Sequence, residues 1–230
     1  MPKWHAIVLA ASRGTSDSMA QSYGVLHKCT IEIGGQAMIS HVVAALQDSS
    51  RVSSIAISTE TESVYARALD VQRRSVVHVP SQSSAPSSAL YAAITHGTFP
   101  ILVTTGDHAL LTAEMVQHVC DTSVELAADF TVGLASDHVI QDAYPETKRT
   151  FFRFGHDRVS GCNLFTIHNA AGLKVLERWQ SLERNRKQPT HQDEWRGDQE
   201  HSAGCRGDGL HHHVTNRKWE GLDLLRRAKE

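Results

Sequence analysis

The chain has 230 residues, with 23 basic and 25 acidic side chains and a formal net charge of −2. This length suffices for one large domain with a substantial core. A near-neutral charge excludes a global basic field that would attract nucleic acid or a membrane surface. The four cysteines are widely separated and include no C-x-x-C pair, which argues against a zinc knuckle, a redox pair or a disulfide framework. We expect a cytoplasmic protein with small-molecule partners; its oligomeric state stays open.

Apolar runs of strand length alternate with segments of helical spacing along most of the chain. The predicted strands lie within residues 5–11, 30–33, 52–58, 76–80, 100–105, 130–135, 150–154 and 163–167. The predicted helices lie at residues 38–46, 63–69, 89–95, 112–119 and 173–182. This alternation predicts an α/β fold with a mostly parallel central sheet flanked by helices on both faces.

The first strand runs into the loop Leu9-Ala10-Ala11-Ser12-Arg13-Gly14, in which small residues precede an arginine and a glycine. Such a loop lets backbone amides approach an anionic ligand, and phosphate is the obvious anion. Lys28 stands just before the second predicted strand, so a fixed positive charge can return to the same ligand. The loop is neither a dinucleotide fingerprint nor a Walker loop.

The predicted strand 100–105 leads directly into Gly106-Asp107. Ligands of open α/β sheets collect at the carboxyl ends of the strands. A carboxylate, a lysine and an amide-rich loop are what nucleotidyl transfer needs, because Mg²⁺ is held by oxygen and positive charge stabilises phosphate oxygens in the transition state. The alternative interpretations are a turn-forming aspartate at position 107 and a solvated lysine at position 28.

Other side chains are candidates for contact with an acceptor. Lys148 and Arg149 could clamp an acceptor phosphate, since arginine favours bidentate phosphate contacts, or they could form a solvated strand edge. Asn163 could contact the acceptor or fix a turn as a buried amide. Ser87 or Ser88 is expected to cap the helix predicted at residues 89–95.

These motifs resemble the molybdenum-cofactor-type NTP transferases, which are nucleotidyltransferases of the glycosyltransferase-A-like, Rossmann-like fold. That family opens with a pattern like L-A-A-G-x-G, followed by a lysine and I-x-G-x-P-M-L. Residues 9–14, Lys28 and residues 33–39 match it, with Ser12 in place of the first glycine. The family's strand-end G-D followed by A-L matches residues 106–110, and its G-x-N-x-F element matches residues 161–165. The resemblance covers roughly residues 6–179.

The resemblance implies a role for each matching position. Lys28 would neutralise phosphate charge, Asp107 would bind Mg²⁺, and Asn163 would lie near the acceptor. The serine-rich loop 81–88 would flank the base, with Ser87 or Ser88 in contact range. The base and the triphosphate would be held by Leu9, Ala10, Ala11, Ser12, Arg13 and Gly14.

The implied reaction transfers a nucleoside monophosphate from an NTP to a phosphorylated acceptor and releases pyrophosphate, without a protein nucleophile. A molybdopterin-type cofactor is the first acceptor expected, and a sugar or alditol phosphate is the second. A nucleotide-sugar glycosyltransferase is disfavoured because it would place Asp-x-Asp at the strand end, where this chain has Asp107-His108-Ala109. A non-catalytic nucleotide-binding domain is the alternative from another class.

The composition changes after about residue 186. The family usually supplies a second metal carboxylate in a D-x-D or D-x-N element before its final helix, and no such element follows here. Residues 187–230 are poor in apolar residues and show no sustained period, which predicts a poorly ordered tail. We therefore expect a nucleotidyltransferase-like domain at residues 1–186. A further hypothesis is that the tail is a degenerate or out-of-frame version of the family's C-terminus, which would impair the activity.

Overall fold

The computed structural model describes residues 2–12, 17–69, 76–96, 98–154 and 157–186. Arg13 and Gly14 of the first loop and the predicted tail at 187–230 lie outside these ranges. Within the described ranges, no helix is long and apolar enough to cross a membrane.

The strands and helices alternate along the chain as the apolar pattern predicts. The strands are β1 (Trp4–Leu9), β2 (Glu32–Ile33), β3 (Gln36–Ala37), β4 (Val52–Thr59), β5 (Val76–Pro80), β6 (Ile101–Thr105), β7 (Phe130–Ser136), β8 (Phe152–Phe154) and β9 (Asp157–Ile167). The helices are α1 (Ser18–Ser22), α2 (Met38–Asp48), α3 (Ala85–His96), α4 (Ala113–Leu126), α5 (Asp137–Ala143) and α6 (Ala170–Arg186). Short 3₁₀ turns lie at Lys28–Thr30 and Glu62–Val64.

The central sheet has the strand order β5-β4-β1-β6-β9-β7, with β8 added along β9. Strands β5, β4, β1 and β6 pair in parallel, whereas β9 runs antiparallel to β6, β7 and β8. The predicted α/β class with a mostly parallel sheet is therefore confirmed. The separate hairpin β2-β3 lies between the first loop and α2.

Strand β1 divides its side chains between two hydrophobic clusters on opposite faces of the sheet. Ala6 and Val8 join the cluster that includes the buried face of α2, and Ile7 joins the cluster that includes residues of α3 and α6. Because both faces are covered, residues 6–9 of the strand form an apolar run without polar alternation.

Two short predicted elements are wrong. Instead of a helix at residues 63–69, the chain forms the 3₁₀ turn Glu62–Val64 followed by further turns. Instead of a strand at residues 30–33, β2 begins only at Glu32, after the 3₁₀ turn Lys28–Thr30. Gly34 and Gly35 then close the hairpin with φ angles of 59° and 79°, which glycine adopts without steric cost.

Helix α3 begins earlier than predicted, at Ala85. The hydroxyl of Ser84 accepts a hydrogen bond from the backbone N–H of Ser87 at 3.3 Å, so Ser84 is the capping serine. The proposed caps, Ser87 and Ser88, therefore lie inside the helix. Pro86 is compatible with this earlier start because the first helical turn needs no N–H from it.

Helices α1 and α5 carry no apolar period that predicts them. Their only buried residues are Ala20 in α1 and Ile140 in α5. A helix of five to seven residues is held by its surroundings rather than by an amphipathic stripe of its own. For this reason the apolar pattern of the sequence does not predict α1 or α5.

A buried polar cluster lies at the amino-terminal edge of β1 and β6. The Ser123 hydroxyl is 2.6 Å from that of Thr166 and also contacts Nε2 of His168. The His168 ring packs edge-on against Trp4, with ring centroids 5.0 Å apart. Burial lowers the pKa of His168, and the charge of Asp129 opposes this shift only in part.

This depressed pKa predicts acid-sensitive stability. The unfolded chain binds a proton at His168 more readily than the folded chain does, so the free energy of unfolding should fall as the pH drops below about 6.5. Chemical denaturation between pH 5 and pH 8 measures the effect. His168→Gln should flatten this dependence, whereas His118→Gln, on the exposed side of α4, should leave it unchanged. An equal slope in wild type and His168→Gln would contradict the prediction.

Candidate active site

The candidate site lies where the sheet's strand order reverses about β1. Leu9 of β1 is in register with Ser58 of β4 on one side and with Thr105 of β6 on the other. The chain leaves all three strands at the same edge of the sheet, in a crevice between diverging connections. Such a switch point is where open α/β sheets bind ligands.

The start of the first loop is held by extensions of these strand pairings. The N–H of Ala10 donates to the carbonyl of Ser58 at 2.9 Å, and the N–H of Gly106 donates to the carbonyl of Leu9 at 2.9 Å. The thiol of Cys29 contacts the Ala10 carbonyl, with Sγ 3.7 Å from the oxygen. Burial raises the pKa of this thiol to about 12, so it stays protonated and serves packing.

Gly106 allows the close approach of β6 to this loop. A Cβ at position 106 would lie 2.7 Å from the Cβ of Ala10 and 3.3 Å from that of Cys29. Any larger residue would therefore push Asp107 and the first loop apart. The glycine of the G-D motif is thus explained by sterics.

Lys28 and Asp107 meet at the centre of the site. Lys28 Nζ lies 2.6 Å from Asp107 Oδ2, and the Thr105 hydroxyl donates to Oδ1 at 2.6 Å. Burial raises the pKa of Asp107, but the hydrogen bonds from Lys28 and Thr105 outweigh it, so the pKa lies below its ordinary value. The carboxylate is therefore ionised at neutral pH and charge-compensated.

A 3₁₀ turn presents Lys28 to the site. The Thr30 hydroxyl closes this turn by donating to the His27 carbonyl at 2.7 Å, and the N–H of Ile31 donates to the Lys28 carbonyl at 3.1 Å. The lysine thereby reaches a carboxylate 79 residues further along the chain.

The candidate acceptor residues lie along β9 and the loop before β8. Arg149 donates to the carbonyl of Gly161 at 3.1 Å. Burial lowers the pKa of His108, the residue after Asp107, and the charge of Arg149 lowers it further while Asp107 opposes the shift. Arg149 therefore acts electrostatically on His108, and both Arg149 and Lys148 are exposed.

Asn163 is an exposed residue in a β-bulge rather than a buried amide. Its φ is 53°, and the pairing of β7 with β9 shifts register between Val132 and Leu134 opposite it. Asparagine tolerates this left-handed conformation better than most residues do. The bulge also re-aims β9 near its contact with Arg149.

Ser87 and Ser88 do not present free hydroxyls to the crevice. The Ser88 hydroxyl accepts from the N–H of Gln82 at 2.8 Å, and the Ser87 hydroxyl accepts from the side chain of Gln180 at 2.8 Å. Both serines are buried. The structure brings Ser12, Lys28 and Asp107 to one edge of the sheet, but it engages these two serines in holding loop 81–84 and α6.

Sequence reasoning missed Glu60. Oε1 of Glu60 accepts the backbone N–H of Ser12 at 2.8 Å, and Oε2 lies 3.8 Å from Nδ1 of His27. The available signal was an acidic residue directly after a strongly predicted core strand. In the part of the chain that the structure describes, no group of three or more His, Cys, Asp and Glu side chains is arranged to hold a metal.

The contact at Gly106 predicts a specific stability defect and its rescue. Gly106→Ala should lower the free energy of unfolding by about 1–3 kcal/mol, as overpacking does in other close-packed sites. Ala10→Gly removes the methyl group that the new Cβ would meet, so the double variant should recover much of the loss. Urea denaturation of the two single variants and the double variant tests this. Additive losses in the double variant would contradict the proposed contact.

Comparison with known proteins identifies the family. No curated protein sequence matches the chain. A hypothetical transferase from Thermus thermophilus aligns with a TM-score of 0.65 and 25% identity over 81% of this chain and 74% of that one. CMP:2-keto-3-deoxy-manno-octonic acid synthetase, complexed with CTP, aligns with a TM-score of 0.56 and 14% identity over 78% of each chain.

A third solved structure, 4-diphosphocytidyl-2C-methyl-D-erythritol synthase from Anaerococcus prevotii, aligns with a TM-score of 0.55 and 9% identity over 78% of this chain and 76% of that one. At these identities the two synthases share the fold with this chain. Residues 6–188 match the family described as MobA-like NTP transferase domain. The chain therefore belongs to the MobA-like NTP transferases, a family of nucleotidyltransferases.

Proposed function

We propose that the protein transfers a nucleoside monophosphate group from an NTP to a phosphorylated small molecule, with Mg²⁺ as cofactor. An acceptor phosphate oxygen attacks the α-phosphorus, the bond to the leaving oxygen breaks, and pyrophosphate departs. The observation that supports this most strongly is the contact between Lys28 and Asp107, 2.6 Å apart at the switch point of the sheet. This pair joins an anion-binding group and a cation-binding group at one place.

The residues present fit a Mg²⁺ ion. Mg²⁺ is usually bound by one or two carboxylates together with substrate phosphates, so Asp107 and a triphosphate can complete such a site. The ion would neutralise charge that develops on the phosphate oxygens. The low pKa of Asp107 keeps the carboxylate ready at neutral pH. The ammonium group of Lys28 lies within hydrogen-bond distance of that carboxylate and can exchange it for a phosphate oxygen.

Positioning and electrostatics are the remaining contributions of the chain to the reaction. Residues 9–14 would hold the base and the triphosphate. We propose that Ser87 and Ser88 act indirectly, because their hydroxyls are engaged with Gln180 and Gln82. Loop 81–84, which they brace, would then flank the base.

Arg149, Lys148 and Asn163 would form the acceptor side. The guanidinium of Arg149 donates to Gly161 of β9 and its charge acts on His108. In the strand order, β9 lies on the side of β6 opposite to β1 and β4. A fixed positive charge there suits a phosphorylated acceptor. We propose a molybdopterin-type cofactor as the first acceptor to test and a sugar or alditol phosphate as the second.

A non-catalytic nucleotide-binding domain is the second candidate. It is favoured because the described residues contain no group of three or more His, Cys, Asp and Glu side chains arranged to hold a metal. Nucleotides would then raise the melting temperature of the protein without pyrophosphate release, because a ligand of the folded state stabilises it by mass action. Pyrophosphate release with the four NTPs, Mg²⁺ and both acceptor classes distinguishes the two functions.

The ion pair predicts the effect of removing either partner. Asp107→Asn and Lys28→Ala should each lower Mg²⁺-dependent pyrophosphate release by about 100-fold or more, the usual scale for a group that stabilises transition-state charge. Steady-state kinetics with a saturating acceptor measures the loss.

Asp121→Asn is the matched control. It breaks an ion pair of the same type, between Arg51 and Asp121 at 2.6 Å, at the opposite edge of the sheet. This variant should be less stable than wild type but keep its turnover under folding conditions. Unchanged turnover in Asp107→Asn would remove Asp107 from the site.

A further inference from the structure

Glu60 is an acidic side chain at the candidate site, and the proposed reaction assigns it no role. It follows β4 directly, and its side chain keeps 41% of its surface exposed while Oε1 accepts the N–H of Ser12. Oε2 is 3.8 Å from Nδ1 of His27, which is beyond hydrogen-bond distance. An ionised carboxylate has about four acceptor sites, so the contact with Ser12 leaves most of them available to a ligand.

The strand register places Glu60 relative to Asp107. Ser58, Leu9 and Thr105 are aligned across β4, β1 and β6, and Glu60 and Asp107 each stand two residues beyond that line. Neighbouring strands are about 4.8 Å apart, so the two acidic positions are separated by roughly 10 Å across the mouth of the crevice. Residues 10–12 lie between them, bonded to Ser58 and Glu60. A nucleotide lying along this edge spans both positions.

Charge decides which end of the nucleotide lies at Glu60. Within the described residues Lys28 pairs with Asp107, whereas Glu60 has His27 at 3.8 Å and no lysine or arginine partner, so the triphosphate is attracted to the β6 side. The β4 side then receives the nucleoside, which carries hydroxyl donors and no charge. A carboxylate is an acceptor for such donors.

We propose that Glu60 accepts hydrogen bonds from the ribose hydroxyls and selects ribonucleotides over deoxyribonucleotides. This inference rests on the proposed NTP-binding function. In dinucleotide-binding Rossmann sheets an acidic residue beyond the strand next to the phosphate-binding loop binds the ribose hydroxyl, and Glu60 stands at the comparable strand end here. The bond from Ser12 fixes the carboxylate at the loop's edge, where it faces the sugar.

Binding measurements with paired nucleotides test the proposal. Isothermal titration with Mg²⁺ first identifies the base that binds the wild-type protein best. The same base is then titrated as the ribo-, 2′-deoxy- and 3′-deoxynucleoside triphosphate. Wild type should bind the ribonucleotide about tenfold more tightly than at least one deoxy analogue, since a site built around a hydroxyl rejects the analogue that lacks it.

The variants separate sugar recognition from loop shape. Glu60→Ala should bring the ratio of ribo to deoxy affinity close to one, mainly by weakening ribonucleotide binding. Glu60→Gln keeps an acceptor for Ser12 but loses the charge, and it should also reduce the ratio. Glu62→Ala changes an exposed acid two residues further along the chain and should leave the ratio at its wild-type value.

The outcomes separate a failure of the proposed NTP binding from a failure of the role assigned to Glu60. If the wild-type protein binds no NTP, the proposed function fails. If it binds NTPs but Glu60→Ala keeps the wild-type ratio, or weakens ribo- and deoxynucleotides equally, the assignment of Glu60 to the ribose is overturned while the proposed function stands.

Discussion

The parallel pairing of β1 between β4 and β6 is the constraint on which the site depends. The chain leaves these three strands at the same edge of the sheet. Their register brings residues 10–12, 60 and 107 to the mouth of a single crevice. The pairing is possible because β1 is apolar on both faces and is covered by helices on both. The same burial that stabilises the core therefore sets the positions of the polar groups at its rim.

Charge compensation allows an acidic group to stand at this rim before any ligand arrives. The Asp107 side chain is only 29% exposed, and a carboxylate so placed would be costly without partners. Lys28 and the Thr105 hydroxyl supply them. Both partners donate hydrogen bonds to the carboxylate, and Lys28 also carries the opposite charge, so the ionised side chain is stable at this partly buried position.

Sequence patterns predicted the elements that the core determines. Helix α2 and strands β4 and β6 match their predicted bounds within two residues at each end, because each has several buried apolar side chains. Strands β5 and β7 match equally well, with Val79 and Phe130 as their buried apolar residues. The failures are elements held by local contacts, namely α1, α5, the 3₁₀ turn Lys28–Thr30 and the turns at residues 62–69. The wrong helix cap has the same origin, since the sequence Ser-Ser-Ala-Pro-Ser-Ser offers several serines and only the packed structure selects Ser84.

The sequence by itself determined the α/β class, the family motifs and the pairing of chemical types, because strand and helix periods and strand-end residues are local properties of the chain. It could not determine that Lys28 contacts Asp107 or that Glu60 accepts the N–H of Ser12. It also could not determine that Ser87 and Ser88 are buried and hydrogen-bonded. These contacts join segments that strand order and register bring together. Only the tertiary structure decided them, since no local preference of a residue encodes which distant strand becomes its neighbour.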